Sequence, residues 1–285
     1  MISPPKLFDR PLIARRLARR APEGDFVTRL VLDDLEQRLV TVTRTFEQPL
    51  ILGPDARLLP LHGETRNAVF TFERASTLVP MEGVPLVDPE ALGLPRSDYD
   101  LIVSVLDLQA VNDVPGFLSR IRAHLRPDGL FLAVALGGAS LTELRQAFLA
   151  ADAAVSGGAF ARVAPFIDVK DAGSLLQRAG FALPVADVES HVVRYETPFA
   201  LFAELKALGA ANPLAERPGR PASRRLLAQA AQDYARIATD PDGRVRATLE
   251  LVWMSGWVPH ESQQKPLAPG SAQVDLRSVL RKTQG

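Results

Sequence analysis

The sequence predicts an α/β protein built on a doubly wound, mostly parallel sheet with an antiparallel edge strand, and three observations predict it. From Pro49 onward, short β-branched or apolar runs alternate with helical segments, the pattern of successive βαβ units. Asp100-Leu-Ile-Val-Ser-Val-Leu106 is almost continuously apolar, as a central strand covered on both faces must be. Two late strand-like runs, Phe181 to Tyr195 and Arg244 to Met254, follow the parallel part. A strand that returns so late beside the last parallel one runs antiparallel to it.

Taken in order, Met1 to Arg20 is a basic arm, with Lys6, Arg10, Arg15, Arg16, Arg19 and Arg20 against Asp9 alone. Such a run reads first as a solvated helix or flexible arm, and second as a lip that closes over a ligand or grips an acidic partner. Phe26, Leu30, Leu35 and Leu39 recur at helical spacing and predict a helix over Asp25 to Val42, with Asp25 as its N-cap. Strands are expected at Leu50 to Leu52, Ala68 to Phe72, Val84 to Val87, Leu101 to Leu106 and Leu130 to Ala135. Helices are expected around Arg74 to Val79, Pro115 to Leu125 and Ser140 to Asp152, then Asp171 to Ala179, Pro198 to Leu208 and Arg224 to Ile237. Residues 1–48 therefore form an arm and helix, 49–258 the α/β domain, and 259–285 an extended tail punctuated by proline.

Composition narrows the function classes. The 33 basic and 33 acidic residues cancel, which gives no case for nucleic acid or a charged membrane surface. Without cysteine there is no disulfide framework, thiolate metal site or cysteine nucleophile. His62, His124, His191 and His260 are scattered, with no spacing that builds a metal site. Neither a spanning apolar run nor a signal peptide is present in the sequence given, which points to a cytosolic protein.

In an open α/β sheet the ligand lies beyond the carboxyl ends of the strands, so the loop after the first strand decides what binds. Here it reads Pro49-Leu-Ile-Leu-Gly53-Pro-Asp-Ala-Arg-Leu-Leu59. A cradle for a nucleotide-like cofactor needs several glycines so that backbone N–H groups can approach it. Only Gly53 is available, Pro54 has no N–H, and Asp55 places a negative charge in the loop.

The scaffold nevertheless resembles a known family. Asp100-Leu-Ile-Val-Ser-Val-Leu-Asp-Leu108, Val111-Asn-Asp-Val-Pro-Gly-Phe-Leu118 and Leu125-Arg-Pro-Asp-Gly-Leu-Phe-Leu132 are similar to the fourth strand, following helix and fifth strand of class I S-adenosylmethionine-dependent methyltransferases. Phe8-Asp-Arg10, Leu141-Thr-Glu-Leu-Arg145, Asp171-Ala-Gly-Ser-Leu-Leu-Gln-Arg-Ala-Gly-Phe181 and Ser255-Gly-Trp-Val-Pro-His-Glu-Ser-Gln-Gln-Lys-Pro-Leu267 narrow the resemblance. They point to the branch of the respiratory complex I assembly factor and the biotin-pathway O-methyltransferase.

The resemblance implies S-adenosylmethionine as cofactor, with Gly53 in the first loop, Glu73 on the ribose after strand two, Asp88 near the adenine after strand three, and Asp107 lining the pocket. Each has a plainer counterpart: a helix-start carboxylate for Glu73, a turn with Pro89 for Asp88, a helix cap for Asp107. Against the family pattern, Ile51 stands at the acidic position of strand one, and Gln109-Ala110 replaces an aromatic pair. The expectation is a methyltransferase-fold protein with a degenerate cofactor site that acts as an assembly or protein-binding factor. It would use the basic arm and the tail motif on a protein partner. The alternatives are an active methyltransferase on a protein or small-molecule acceptor, and a fold relative that binds a different small molecule.

Overall fold

The computed structural model describes residues 6–263, so the tail beyond them, with Lys265 and Pro266 of the closing motif, lies outside the described residues. The chain runs α1 (Arg10–Ala18), α2 (Phe26–Thr41), β1 (Pro49–Asp55), β2 (His62–Glu64), β3 (Val69–Thr71), β4 (Glu73–Val79), β5 (Tyr99–Val105), α3 (Val114–His124) and β6 (Leu125–Leu136). It continues with α4 (Thr142–Ser156), α5 (Val169–Arg178), β7 (Ala182–Tyr195), α6 (Pro198–Ala207), α7 (Arg224–Ala238) and β8 (Val245–Trp257). Six strands form one sheet in the order β4-β1-β5-β6-β8-β7. β4, β1, β5 and β6 are parallel, and β8 runs antiparallel between β6 and β7. The expected architecture holds, with β8 as the antiparallel strand and β7 at the edge.

Alternation along the strands builds two cores, one on each face. Leu50, Leu52, Ile102, Phe131 and Val252 pack with Phe117 and Ile121 of α3 and Leu176 of α5. Ile51, Leu101, Val103, Leu132 and Trp253 pack on the other face with Val31, Leu35 and Leu39 of α2. The helix α2 is thus built into the α/β body. Helix starts are capped by side chains: Asp25 accepts from Thr28 N, Asp113 from Gly116 N and Ser223 from Leu226 N. Each such cap is worth about 0.5–2 kcal/mol.

Two expectations are corrected. The helix expected over Arg74 to Val79 is strand β4, paired with β1 from Leu50↔Glu73 to Asp55↔Val79. The strand expected at Ala68 to Phe72 is β3, which among the described residues pairs only with β2, in a separate hairpin. The β-branched Thr and Val in Glu-Arg-Ala-Ser-Thr-Leu-Val favour the extended chain, and the buried slot beside β1 decides between the two. Val84 to Val87 forms no full strand. A single parallel bridge from Leu86 to Ser76 marks where a further strand would flank β4.

Candidate functional site at the carboxyl edge

The parallel strands β4, β1 and β5 end together at Val79, Asp55 and Val105. The crevice between the carboxyl ends of β1 and β5, where strand order reverses, is the ligand position of this architecture. Gly53 lies there, but its lack of a side chain serves packing. A Cβ at Gly53 would stand 2.8 Å from the Val105 carbonyl oxygen.

Asp55 ends β1 with a side chain 1% exposed. Its Oδ2 accepts from Arg20 Nη2 at 3.0 Å and from Arg57 Nη2 at 2.8 Å, while its Oδ1 accepts from Arg57 Nε at 2.9 Å. Arg20 also pairs with Asp25, the cap of α2. Burial pushes the Asp55 carboxyl up, but the guanidinium groups of Arg57 and Arg20 outweigh burial and hold it below the ordinary carboxylate range. The first-strand loop therefore holds a buried carboxylate clamped between two guanidinium groups, one of them delivered by the N-terminal arm.

That arm is a helix folded across the edge. Phe8, Ile13 and Leu17 pack on Leu78 and Val79 at the end of β4 and on Ala110 after β5. Phe8 N donates to Asn112 Oδ1 at 2.8 Å, and Asp9 caps α1 through Leu12 N at 3.0 Å. Arg10 reaches the Ala110 and Thr77 carbonyls at 2.7 and 2.9 Å, so its guanidinium bridges the ends of β5 and β4. Arg16 donates to the Ala211 and Asn212 carbonyls at 2.6 and 2.9 Å. The solvated arm expected from the sequence is corrected. Three of its six basic residues are engaged within the chain, because apolar residues at helical spacing bring the helix down onto the sheet. Lys6, Arg15 and Arg19 remain exposed.

The expected cofactor residues are dispersed. Asp107 follows β5 and is fully buried. Thr77 Oγ1 donates to its Oδ1, while its Oδ2 is enclosed without a partner. Burial raises its pKa, and the Thr77 hydroxyl and the charge of Arg10 offset only part of that rise. Its side chain caps no helix. Glu73 is corrected: it begins β4 opposite Leu50, at the amino end of the sheet, where Tyr99 Oη donates to it at 2.9 Å. The sequence reading set the second strand one segment too early. Asp88 is exposed and accepts from Glu90 N at 3.0 Å, which closes a turn as its plainer counterpart predicted.

The described start of the tail motif lies at the amino end of the sheet. There a cavity of about 230 Å³ is lined by Arg44, Phe46, Asp100, Arg126, Asp128 and His260. Gln263 donates to Asp128 Oδ1 at 2.9 Å, and Arg126 pairs with Asp100 at 3.2 Å. Among the described residues, no group of three metal-ligating side chains comes together, and no helix is long and apolar enough to cross a membrane.

Sequence reasoning gave no role to Arg57, Thr77 or Asn112, and named Arg10 and Arg20 only as members of the basic arm. Two signals were on view, the basic arm and the lone acid in the glycine loop. Nothing local said that they meet 35 residues apart.

The strand order and the crevice at the β1/β5 edge define a class I methyltransferase-fold protein. Comparison with known proteins makes this narrower. Human mitochondrial arginine-hydroxylase NDUFAF5 is 34% identical over 285 residues, covering 95% of this chain and 82% of the relative, and the rat protein is 32% identical over 290 residues. The chain belongs to the NDUFAF5 family. A malonyl-[acyl-carrier protein] O-methyltransferase from Laribacter hongkongensis is 39% identical over 203 residues, 70% of this chain and 62% of that protein. Among solved structures, YcgJ from Bacillus subtilis matches 81% of this chain and 99% of its own at a TM-score of 0.48 and 12% identity. No family profile matches the chain.

Proposed function

We propose that this chain is a protein-directed factor whose S-adenosylmethionine site is degenerate, its carboxyl edge being held by its own arginine–carboxylate network. The observation that carries the reading is the clamp of Asp55 by Arg20 and Arg57 beneath a packed α1. The residues present do not fit the cofactor. The loop offers one glycine, and that glycine is needed for strand packing against Val105. Pro54 gives no N–H, and Asp55 fills the loop with a carboxylate enclosed by Arg20 and Arg57. No acidic side chain stands at the end of β4, where Thr77, Leu78 and Val79 lie. A role in assembling or modifying another protein rests on the family relationship. The relatives' name adds a finer reading, that the protein acted upon presents an arginine. One observation favours it: a buried carboxylate at this edge already receives guanidinium groups from two directions.

The test is calorimetric titration with S-adenosylmethionine and its demethylated product. The expected result is no binding at micromolar concentration. A Kd of micromolar or better, about −8 kcal/mol, would refute the degenerate site. Replacing both Pro54 and Asp55 with glycine is expected to improve binding, since it restores a donor, removes a charge and releases Arg20.

A further inference from the structure

We infer that β7 pairs with β7 of a second copy, antiparallel about a twofold axis at Ser190, joining two sheets into one of twelve strands. The inference starts from an open edge. β7 is 14 residues long and ends the sheet; among the described residues its only strand partner is β8. Such an edge presents unpaired N–H and C=O groups, which proteins ordinarily blunt with lysine, proline, bulges or a covering element. Here Pro184 and the register shift between Ala182 and Val185 blunt one end only. The run from Val185 to Tyr195 carries no lysine or proline. On the α5 face it exposes Val188 and Val192, 45% and 60% accessible.

The occupant is argued from the strand's own pattern. Opposed residues in an antiparallel pair share a face, so a twofold normal to the sheet must fall on a residue. At Ser190 it sets Val188 against Val192 of the second copy, twice. The four valines then close over a small Ser190–Ser190 centre. On the opposite face Glu189 meets His191 of the second copy, again twice. The His191 Nε2 is enclosed within its own chain, 3.7 Å from its own Glu189, and Glu189 is already held by Arg38, so this row brings no like charges together and the exposed valines carry the pairing. A twofold at Glu189 would oppose glutamate to glutamate, and one at Val188 would set Asp187 against Glu189. Carboxylates directly opposed disfavour both, although Arg38 holds Asp187 and Glu189 within each copy. A twofold at His191 sets Val188 against Arg194 and leaves the valines unmatched.

The absence of cysteine gives a sharp test. Ser190→Cys places one thiol beside its own symmetry mate. Asp187→Cys, on the same strand, places it six residues out of register, about 20 Å from its mate. Under mild oxidation the first variant is expected to form a covalent dimer at least tenfold faster than the second. Wild type should sediment at twice the mass of the 30.9 kDa chain at tens of micromolar. Val188→Lys/Val192→Lys should sediment as a monomer with an unchanged circular dichroism spectrum. A monomeric wild type, or equal cross-linking of the two cysteine variants, would overturn the inference. So would a dimer that forms only after removal of residues 264–285, which would assign the edge to the chain's own tail.

Discussion

Asp55 is the residue on which the carboxyl edge turns. Its side chain is almost fully enclosed, and Arg20, enclosed nearly as well, shares it with Arg57. Removing one member of a buried ion network strands the charge that remains, at a cost of about 3–5 kcal/mol. Asp55→Ala is therefore expected to lose stability on that scale in urea unfolding. Asp55→Asn, which keeps an acceptor for one guanidinium, should lose less. A loss under about 1 kcal/mol for the alanine variant would show that the network is not held. The pH dependence has a definite sign. Folding lowers the Asp55 pKa, so its contribution is present above the unfolded carboxylate value of about 3.9 and fades as pH falls through the lower folded value. The stability gap between wild type and Asp55→Ala should be full at neutral pH and shrink below about pH 4. A gap that stays constant down to pH 2 would contradict the charge assignment. Asp55 stood out in the sequence as a charge where a glycine was wanted. Its partner Arg20 did not, because no periodicity links a loop to a helix 35 residues earlier.

At the scale of elements, the long apolar strands and the capped helices were legible because local signals agreed with the tertiary result. β5 reads as buried and is buried throughout, and α2 begins at the cap that Asp25 announces. β4 was not legible. Its seven residues carry a charged start and a Ser-Thr pair, a pattern too short to separate strand from helix. That error moved Glu73 from the start of a strand to the end of one. α1 misled in another way. Its basic residues masked the buried pair Ile13 and Leu17, four residues apart on one face. Ile13→Ala is expected to cost about 2–4 kcal/mol, seen as a lowered denaturation midpoint. A variant within about 0.5 kcal/mol of wild type would mean that α1 rests on the sheet without packing into it.

For the whole molecule, the family resemblance carried fold and topology well, because they reside in the hydrophobic pattern and the turns. It said less about the carboxyl edge, where Gly53 stands alone and Pro54 and Asp55 depart from the pattern. Segments read separately from the sequence converge there: Phe8-Asp-Arg10 docks on Asn112 and Ala110, and the arm ends on the altered glycine loop. The molecule is a methyltransferase scaffold with its N-terminal helix packed on the carboxyl edge, and on the function proposed above that helix lies where a cofactor would bind. Amide hydrogen exchange over residues 10–20, with and without millimolar S-adenosylmethionine, tests this most directly. Helix α1 is expected to be protected in the protein alone, with its exchange unchanged by the cofactor. Rapid exchange in the protein alone, with protection gained only on adding the cofactor, would make α1 a lid over a working site and contradict that expectation.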